Sequence, residues 1–224
     1  MKKHVALFSS VLMMSTTLLG AGGVFAEQAT PDTESTPVSA TLSIPDEPAP
    51  TPPTEGGDNN NGNNTTGHFG LAYQPTSFST SDVLDGTGEK EVAINPSGVK
   101  GGFHLGVKDT RRQNSKWQVT AKLDWSGNNA GEMAGTTIKA NNDNIKLNNN
   151  GELSNLSTGE VTGVSSLTIG NQATPVMMAS GEKQVKGVYD YELKNVKLVI
   201  PNQENVAADA YNGTVTWNLA ETPQ

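Results

Sequence analysis

Apolar and polar residues alternate along short segments of residues 67–224, and clusters of glycine, asparagine and aspartate separate these segments. A period of two is typical of strands that bury one face, and no long stretch has the 3.6-residue period of an amphipathic helix. Turn signals lie at residues 85–86, 126–129, 148–151 and 212–213. The pattern predicts strands near 69–73, 90–94, 101–108, 116–124, 135–140, 160–169, 184–193, 195–200 and 211–220. Many strands without intervening helices predict an all-β, antiparallel, sandwich-like single domain.

Two of these segments alternate strictly, so each has one apolar and one polar face. The apolar face of the first comprises Trp117, Val119, Ala121 and Leu123. The apolar face of the second comprises Tyr211, Gly213, Val215, Trp217 and Leu219. A change of phase near Asn195 predicts a β-bulge between the segments 184–193 and 195–200.

The first 26 residues have the features of a secretory signal peptide. Lys2 and Lys3 precede a mostly apolar stretch, and small residues at Val24 and Ala26 precede a cleavage site before Glu27. A membrane anchor is the alternative, but serines and threonines interrupt the stretch and the cleavage site follows directly. No other segment approaches the ~20 apolar residues that span a bilayer, so we expect no membrane attachment after cleavage.

Residues 27–66 have a different composition, first rich in proline, threonine and serine and then in glycine and asparagine, with seven acidic and no basic residues. Such a segment buries too little apolar surface to offset the entropy of ordering, which predicts a disordered spacer. The expected organisation is therefore a signal peptide at 1–26, a disordered acidic linker at 27–66 and a β domain at 67–224.

Charge and cysteine content exclude several classes of protein. The chain of 224 residues has a net charge of −8 and no concentrated basic face, which argues against a nucleic-acid partner. It contains no cysteine, which excludes disulfides, thiolate nucleophiles and cysteine-based zinc sites.

Two tryptophan motifs lie far apart in the sequence. Asp109-Thr110-Arg111 precedes Trp117-Gln118-Val119, and Trp217-Asn218-Leu219 lies close to the end of the sequence. With the secretion signal, these features resemble the WxL domain of surface proteins from low-GC Gram-positive bacteria. The resemblance covers about residues 69–224. One position departs from the pattern, because Val119 stands where the family name has leucine, and its apolar character is kept.

The resemblance implies a secreted protein that is held non-covalently on the cell wall, with peptidoglycan or another wall polymer as its ligand. It also implies action together with other surface proteins or contact with host matrix. A subunit of a surface complex or an adhesin, whose β domain binds proteins rather than glycan, is therefore the alternative function. The sequence has no sorting motif or lipobox cysteine, so a binding domain would have to retain the protein at the surface.

Five motif residues are candidates for binding the wall or a partner: Trp117, Val119, Tyr211, Trp217 and Leu219. Because the tryptophans share their faces with aliphatic residues, we favour a place in the core over a ligand platform. Three further residues are candidates for anion contact: Asp109, Arg111 and Arg112. Arginine binds phosphates and carboxylates bidentately, but we favour a structural Asp109–Arg111 pair over this function.

Signals for catalysis are weak. The expected mature chain has only His68 and His104, and no nucleophile-elbow, metalloprotease or phosphate-loop motif is present. The polar loop at 141–152 does not fit a calcium-binding EF-hand, because Lys146 would occupy the first ligand position. We therefore expect no enzyme activity, no cofactor and no metal. Glycan cleavage by paired carboxylates is the weakest of the three functions considered.

Overall fold

The computed structural model describes residues 35–45, 48–98 and 101–221, and the chain divides into two units at Leu42. Residues 35–42, the described part of the first unit, are exposed and contain neither helix nor strand. The predicted signal peptide lies outside the described residues.

The second unit is built of antiparallel strands. Three short 3-10 helices cover Thr54–Asn59, Ala130–Met133 and Gln203–Asn205. The strands are β1 (Asn60–Gly62), β2 (Phe69–Pro75), β3 (Lys90–Ala93), β4 (Phe103–Gln113), β5 (Lys116–Ser126), β6 (Thr137–Asn141), β7 (Lys146–Asn149), β8 (Glu152–Asn155), β9 (Val161–Gly163), β10 (Ser166–Ile169), β11 (Thr174–Ser180), β12 (Val185–Ile200) and β13 (Asn212–Glu221).

The strands form two sheets. The larger sheet has the order β1-β2-β4-β12-β6-β10, with β3 and β7 also paired to β12 and β8 paired to β7. The smaller sheet has the order β13-β5-β11-β9. The two sheets bury their inner faces against each other, which confirms the predicted all-β, sandwich-like fold.

The core consists of alternate residues from the central strands of both sheets. Leu105 and Val107 of β4 and Tyr191 of β12 pack with Trp117 and Val119 of β5, and all five are fully buried. Complete burial of such a side chain stabilises the fold by about 1.5–3 kcal/mol. The apolar residues of the alternating pattern in β5 therefore lie on the inner face of the smaller sheet.

Most predicted strands are present, and the exceptions have local causes. Segment 160–169 is two strands, β9 and β10. Strand β11 was not predicted, because a register shift between Pro175 and Met177 interrupts its alternation. The hairpin β7–β8 was predicted as a polar loop, since its strands are rich in asparagine. Its turn uses Asn150 and Gly151 at φ 52° and 94°. The expected turn at 212–213 is wrong, because β13 begins there.

The predicted bulge in β12 is confirmed. Asn195 has φ 50°, and the pairing of β12 with β6 shifts between Lys194 and Lys197. Asparagine tolerates this left-handed conformation better than most residues with a side chain. The bulge lets a single 16-residue strand bury Leu193 before it and Val196 after it.

Part of the segment that was expected to be a linker has regular secondary structure. Residues 48–62, which we name the N-terminal arm, include a 3-10 helix and strand β1, which pairs with β2. The buried Asn60 donates a hydrogen bond from Nδ2 to Gly102 O at 2.9 Å and accepts one from His104 N at 2.7 Å. Composition missed this order because polar side-chain bonds to backbone, rather than apolar burial, hold the arm.

Candidate functional site

The two tryptophan motifs lie side by side in the smaller sheet. Strands β5 and β13 pair so that Val119 stands opposite Leu219, with Trp117 opposite Glu221 and Trp217 opposite Ala121. Both motifs face the core. Trp117 and Val119 are fully buried, whereas Trp217 and Leu219 are half-buried because β13 is an edge strand. Motifs about a hundred residues apart in sequence therefore form one patch of the inner face.

Asp109 connects the first motif to the larger sheet. Its buried carboxylate accepts hydrogen bonds from Trp117 Nε1 at 3.0 Å and from Arg111 Nε and Nη2 at 2.9 and 2.8 Å. The Arg111 guanidinium lies 3.9 Å from the Phe69 ring centroid and also bonds to Glu221 at the end of β13. The Asp109 carboxylate thus forms a bidentate pair with Arg111, and the bonds of these two residues connect β4 with β5 and β13. We call this arrangement the Asp109 clasp.

The remaining sequence candidates lie away from this patch. Tyr211 precedes β13 and donates a hydrogen bond to Glu132, which raises the pKa of Tyr211 to about 12 and lowers the pKa of Glu132. Arg112 is exposed at the end of β4 with φ 56°, and its carbonyl accepts a bond from Gln184 Nε2. The structure therefore brings together six of the eight candidates and separates Tyr211 and Arg112 from them.

The outer side of the same two strands carries a different set of groups. We name it the polar face, and it comprises Gln118, Thr120 and Lys122 of β5 with Thr214, Thr216 and Asn218 of β13. Cross-strand pairs place Asn218 opposite Thr120 and Thr216 opposite Lys122. The three β13 residues are exposed and the three β5 residues half-buried. These six residues present hydroxyl and amide groups and one ammonium, and the exposed Lys116 and Asp124 occupy the outward positions of β5 at either end of the row. Its sequence signal is the polar half of the alternation in both strands.

A second polar cluster lies on the outer side of the larger sheet, beneath the N-terminal arm. Tyr73 donates a hydrogen bond to Asp190 at 2.9 Å and accepts one from Asn148 at 3.0 Å. His104 Nδ1 lies 3.1 Å from both Asp190 oxygens. Burial, followed by the charge of Asp190, raises the pKa of Tyr73 well above its ordinary value. No sequence signal marks this cluster, because its members come from four separate strands.

In this cluster the arm supplies backbone acceptors rather than side-chain charges. Asn148 Nδ2 donates to Thr51 O at 2.8 Å, and the buried Lys108 Nζ donates to Pro48 O at 3.2 Å. The imidazole Nε2 of His104 is buried and has no hydrogen-bond partner among the described residues. Because the arm covers these groups, they form an interior network rather than an open site.

The described residues contain neither a cluster of metal ligands nor a membrane-spanning helix. In residues 35–45, 48–98 and 101–221, no group of three or more histidine, cysteine, aspartate or glutamate side chains is arranged to hold a metal ion. No helix in the same part of the chain is long and apolar enough to cross a membrane.

The fold and the paired tryptophan motifs define an antiparallel β-sandwich domain. The family model of the WxL domain, described as surface cell wall-binding, matches residues 25–223. The chain therefore belongs to the WxL family, which places it at the cell surface or cell wall. No curated protein and no solved structure matches the chain.

Proposed function

We propose that this protein is a secreted, non-catalytic module that binds peptidoglycan without a covalent bond, and that the polar face is the surface that contacts the glycan. The observation that carries the proposal is the outward row of exposed Thr and Asn side chains on β13 beside the polar row on β5, with Thr216 opposite Lys122 and Asn218 opposite Thr120. Glycan strands carry hydroxyl and acetamido groups, which match the hydrogen-bonding capacity of these side chains.

The burial of Trp117 supports the polar face over the first motif as the glycan surface. Trp117 has no exposed surface, and its indole N–H is already bonded to Asp109. A sugar-stacking platform needs an accessible ring face, which Trp117 does not offer. Trp117, Val119, Trp217 and Leu219 hold β5 and β13 in register, so we propose an indirect role for them in wall binding.

The charge of the chain favours peptidoglycan over polyanionic wall polymers. The net charge of −8 repels phosphate-rich polymers at a distance. Lys122 is the one cation of the polar face, and its Nζ lies 2.8 Å from Asp124. Asp109 and Arg111 satisfy each other, so we do not place anion binding there.

Co-sedimentation of the purified protein with protein-free peptidoglycan sacculi tests the proposal. We expect the wild-type protein to pellet with acid-extracted sacculi, which lack wall teichoic acid. The double variant Thr216→Ala with Asn218→Ala should bind at least about tenfold more weakly, because it loses two hydrogen-bonding groups worth about 1 kcal/mol each. Thr168→Ala, exposed on β10 of the other sheet, is the matched control and should bind as the wild type does.

Three outcomes would contradict parts of this proposal. Failure of the wild type to pellet with sacculi would reject peptidoglycan as the ligand. Equal binding by the double variant would reject the polar face. A fall in the turbidity of the sacculus suspension would show cleavage and reject a non-catalytic role.

A further inference from the structure

Strand β13 is an unusually open sheet edge. It pairs with β5 through ten consecutive residue pairs without a register shift, and in the described residues its other edge pairs with no strand. The other terminal strands of the two sheets are short, with three residues in β1, three in β9 and four in β10. A long edge leaves a row of backbone N–H and C=O groups available for another strand.

The edge lacks the features that normally prevent strand addition. Strand β13 contains no proline, lysine or arginine, and its one charged residue, Glu221, bonds to Arg111. Proteins usually protect a long edge with a bulge, a proline or an inward charge. The segment Asn212–Asn218 has none of these and is therefore competent for pairing.

A groove with both polar and apolar lining lies beside this edge. It has a volume of about 1160 Å³, and its lining includes Phe78, Leu123, Trp125, Leu198, Val215 and Trp217. Val215 and Trp217 belong to β13 itself and are half-buried. In an added strand, every second side chain would project to the same side as these two residues and enter the groove.

The charged residues that line the groove give its rim a small net negative charge. Asp82 and Asp209 line it together with Lys90, and Lys90 Nζ already lies 3.6 Å from Asp82 and 2.8 Å from Asp85. Asp209 is exposed and accepts bonds only from neutral groups, Asn129 Nδ2 and the N–H of Ala210, among the described residues. The rim therefore favours a segment with basic residues at its ends.

We propose that β13 receives an extended segment of another protein, which adds as a strand along Asn212–Asn218 and inserts alternate apolar side chains into the groove. Backbone hydrogen bonds would supply affinity and the groove would supply specificity. This partner site is separate from the proposed glycan surface, because it uses the edge and inner side of β13 rather than its outer side.

Charge and composition argue against two other occupants. A second copy of this chain would bring a second negatively charged rim beside the first, and like charges in close apposition disfavour pairing. Residues 27–66 of this chain are acidic and rich in proline. Proline has no backbone N–H to pair with the edge, and acidic side chains would lie beside the aspartates of the rim.

A labelled synthetic peptide tests the proposal by fluorescence anisotropy. The peptide has about ten residues, alternates valine with threonine, and carries a lysine at each end. We expect saturable binding to the full protein, and loss of binding when alternate peptide amides are N-methylated. Val215→Lys should weaken binding at least about tenfold, because it places a charge in the groove. Thr216→Lys adds the same charge to the opposite side of β13 and should change the Kd less than about twofold.

Hydrogen exchange locates the contact and does not depend on any variant folding. On peptide binding, new amide protection in the wild-type protein should be confined to residues 212–218. Absence of binding, equal binding of the N-methylated peptide, or equal weakening by Val215→Lys and Thr216→Lys would overturn the proposal. Dimerisation of the wild type with protection of residues 212–218 would assign the edge to a second copy instead. Sacculus binding by Val215→Lys reports on the proposed function separately.

Discussion

At the scale of single residues, the family motif stabilises the fold. Trp117 is buried, its N–H is bonded to Asp109, and its ring lies 6.4 Å from those of Phe69 and Tyr189. One carboxylate thus satisfies a buried indole and a guanidinium at once. A group with this many partners in the interior is costly to remove, because each partner then loses its acceptor.

Replacement of Asp109 by alanine should destabilise the protein strongly. Asp109 is fully buried, and its removal leaves the Trp117 N–H without an acceptor and takes from Arg111 its bidentate partner, at about 1–3 kcal/mol for each loss. The free energy of unfolding in urea measures the effect. Asp124→Ala is the control, because Asp124 pairs with Lys122 at an exposed position and should contribute less than about 1 kcal/mol. Similar losses of unfolding free energy in the two variants would show that the Asp109 clasp stabilises the protein no more than an exposed ion pair does.

At the scale of elements, the strands with uninterrupted alternation were predicted, and the strands with an irregular register or few apolar residues were missed. Strands β5 and β13 follow the period of two throughout, and sequence analysis found both. Strand β11 was missed because of its register shift, and β7 and β8 because they contain few apolar residues. The bulge in β12 was found because apolar residues resume in the new phase after Asn195.

The conformation of Asn195 leads to a prediction for strand β12. At φ 50° the backbone conformation of a residue with a Cβ costs about 1–2 kcal/mol of strain. Asparagine offsets part of this strain, and glycine does not incur it. Asn195→Ala should therefore lower the thermal midpoint by about 2–4 °C, and Asn195→Gly should leave it unchanged or raise it. Differential scanning calorimetry measures both midpoints. If glycine destabilises as much as alanine does, the asparagine side chain rather than the backbone conformation is what matters.

At the scale of the whole molecule, the β domain includes chain that composition assigns to a spacer. The N-terminal arm covers Tyr73, His104 and Asp190 and adds β1 to the larger sheet. Without the arm, this buried polar network would meet water, and its bonds to the arm backbone would be lost. Residues 48–62 are therefore part of the folded β unit.

Truncation tests the contribution of the arm. A chain that begins at residue 67 loses the bonds of Asn60 to Gly102 and His104, the bond of Asn148 to Thr51, and the pairing of β1 with β2. At about 1 kcal/mol per hydrogen bond, the three side-chain bonds alone give an expected loss of at least about 3 kcal/mol, measured by urea unfolding. A chain that begins at residue 48 keeps the arm and should match the full protein. Equal stability of the two truncated chains would mean that the arm does not contribute to folding.

The sequence by itself determined the all-β class, most strands, the bulge at Asn195 and the membership of the WxL family, because alternation and motif residues are local features. Only the tertiary structure decided that Val119 pairs with Leu219 and that Asp109 accepts a hydrogen bond from Trp117. Only the tertiary structure also placed the arm on the sheet and left β13 with an open edge. These features arise from pairing between residues distant in sequence, and the apolar pattern of a strand does not specify its position within a sheet.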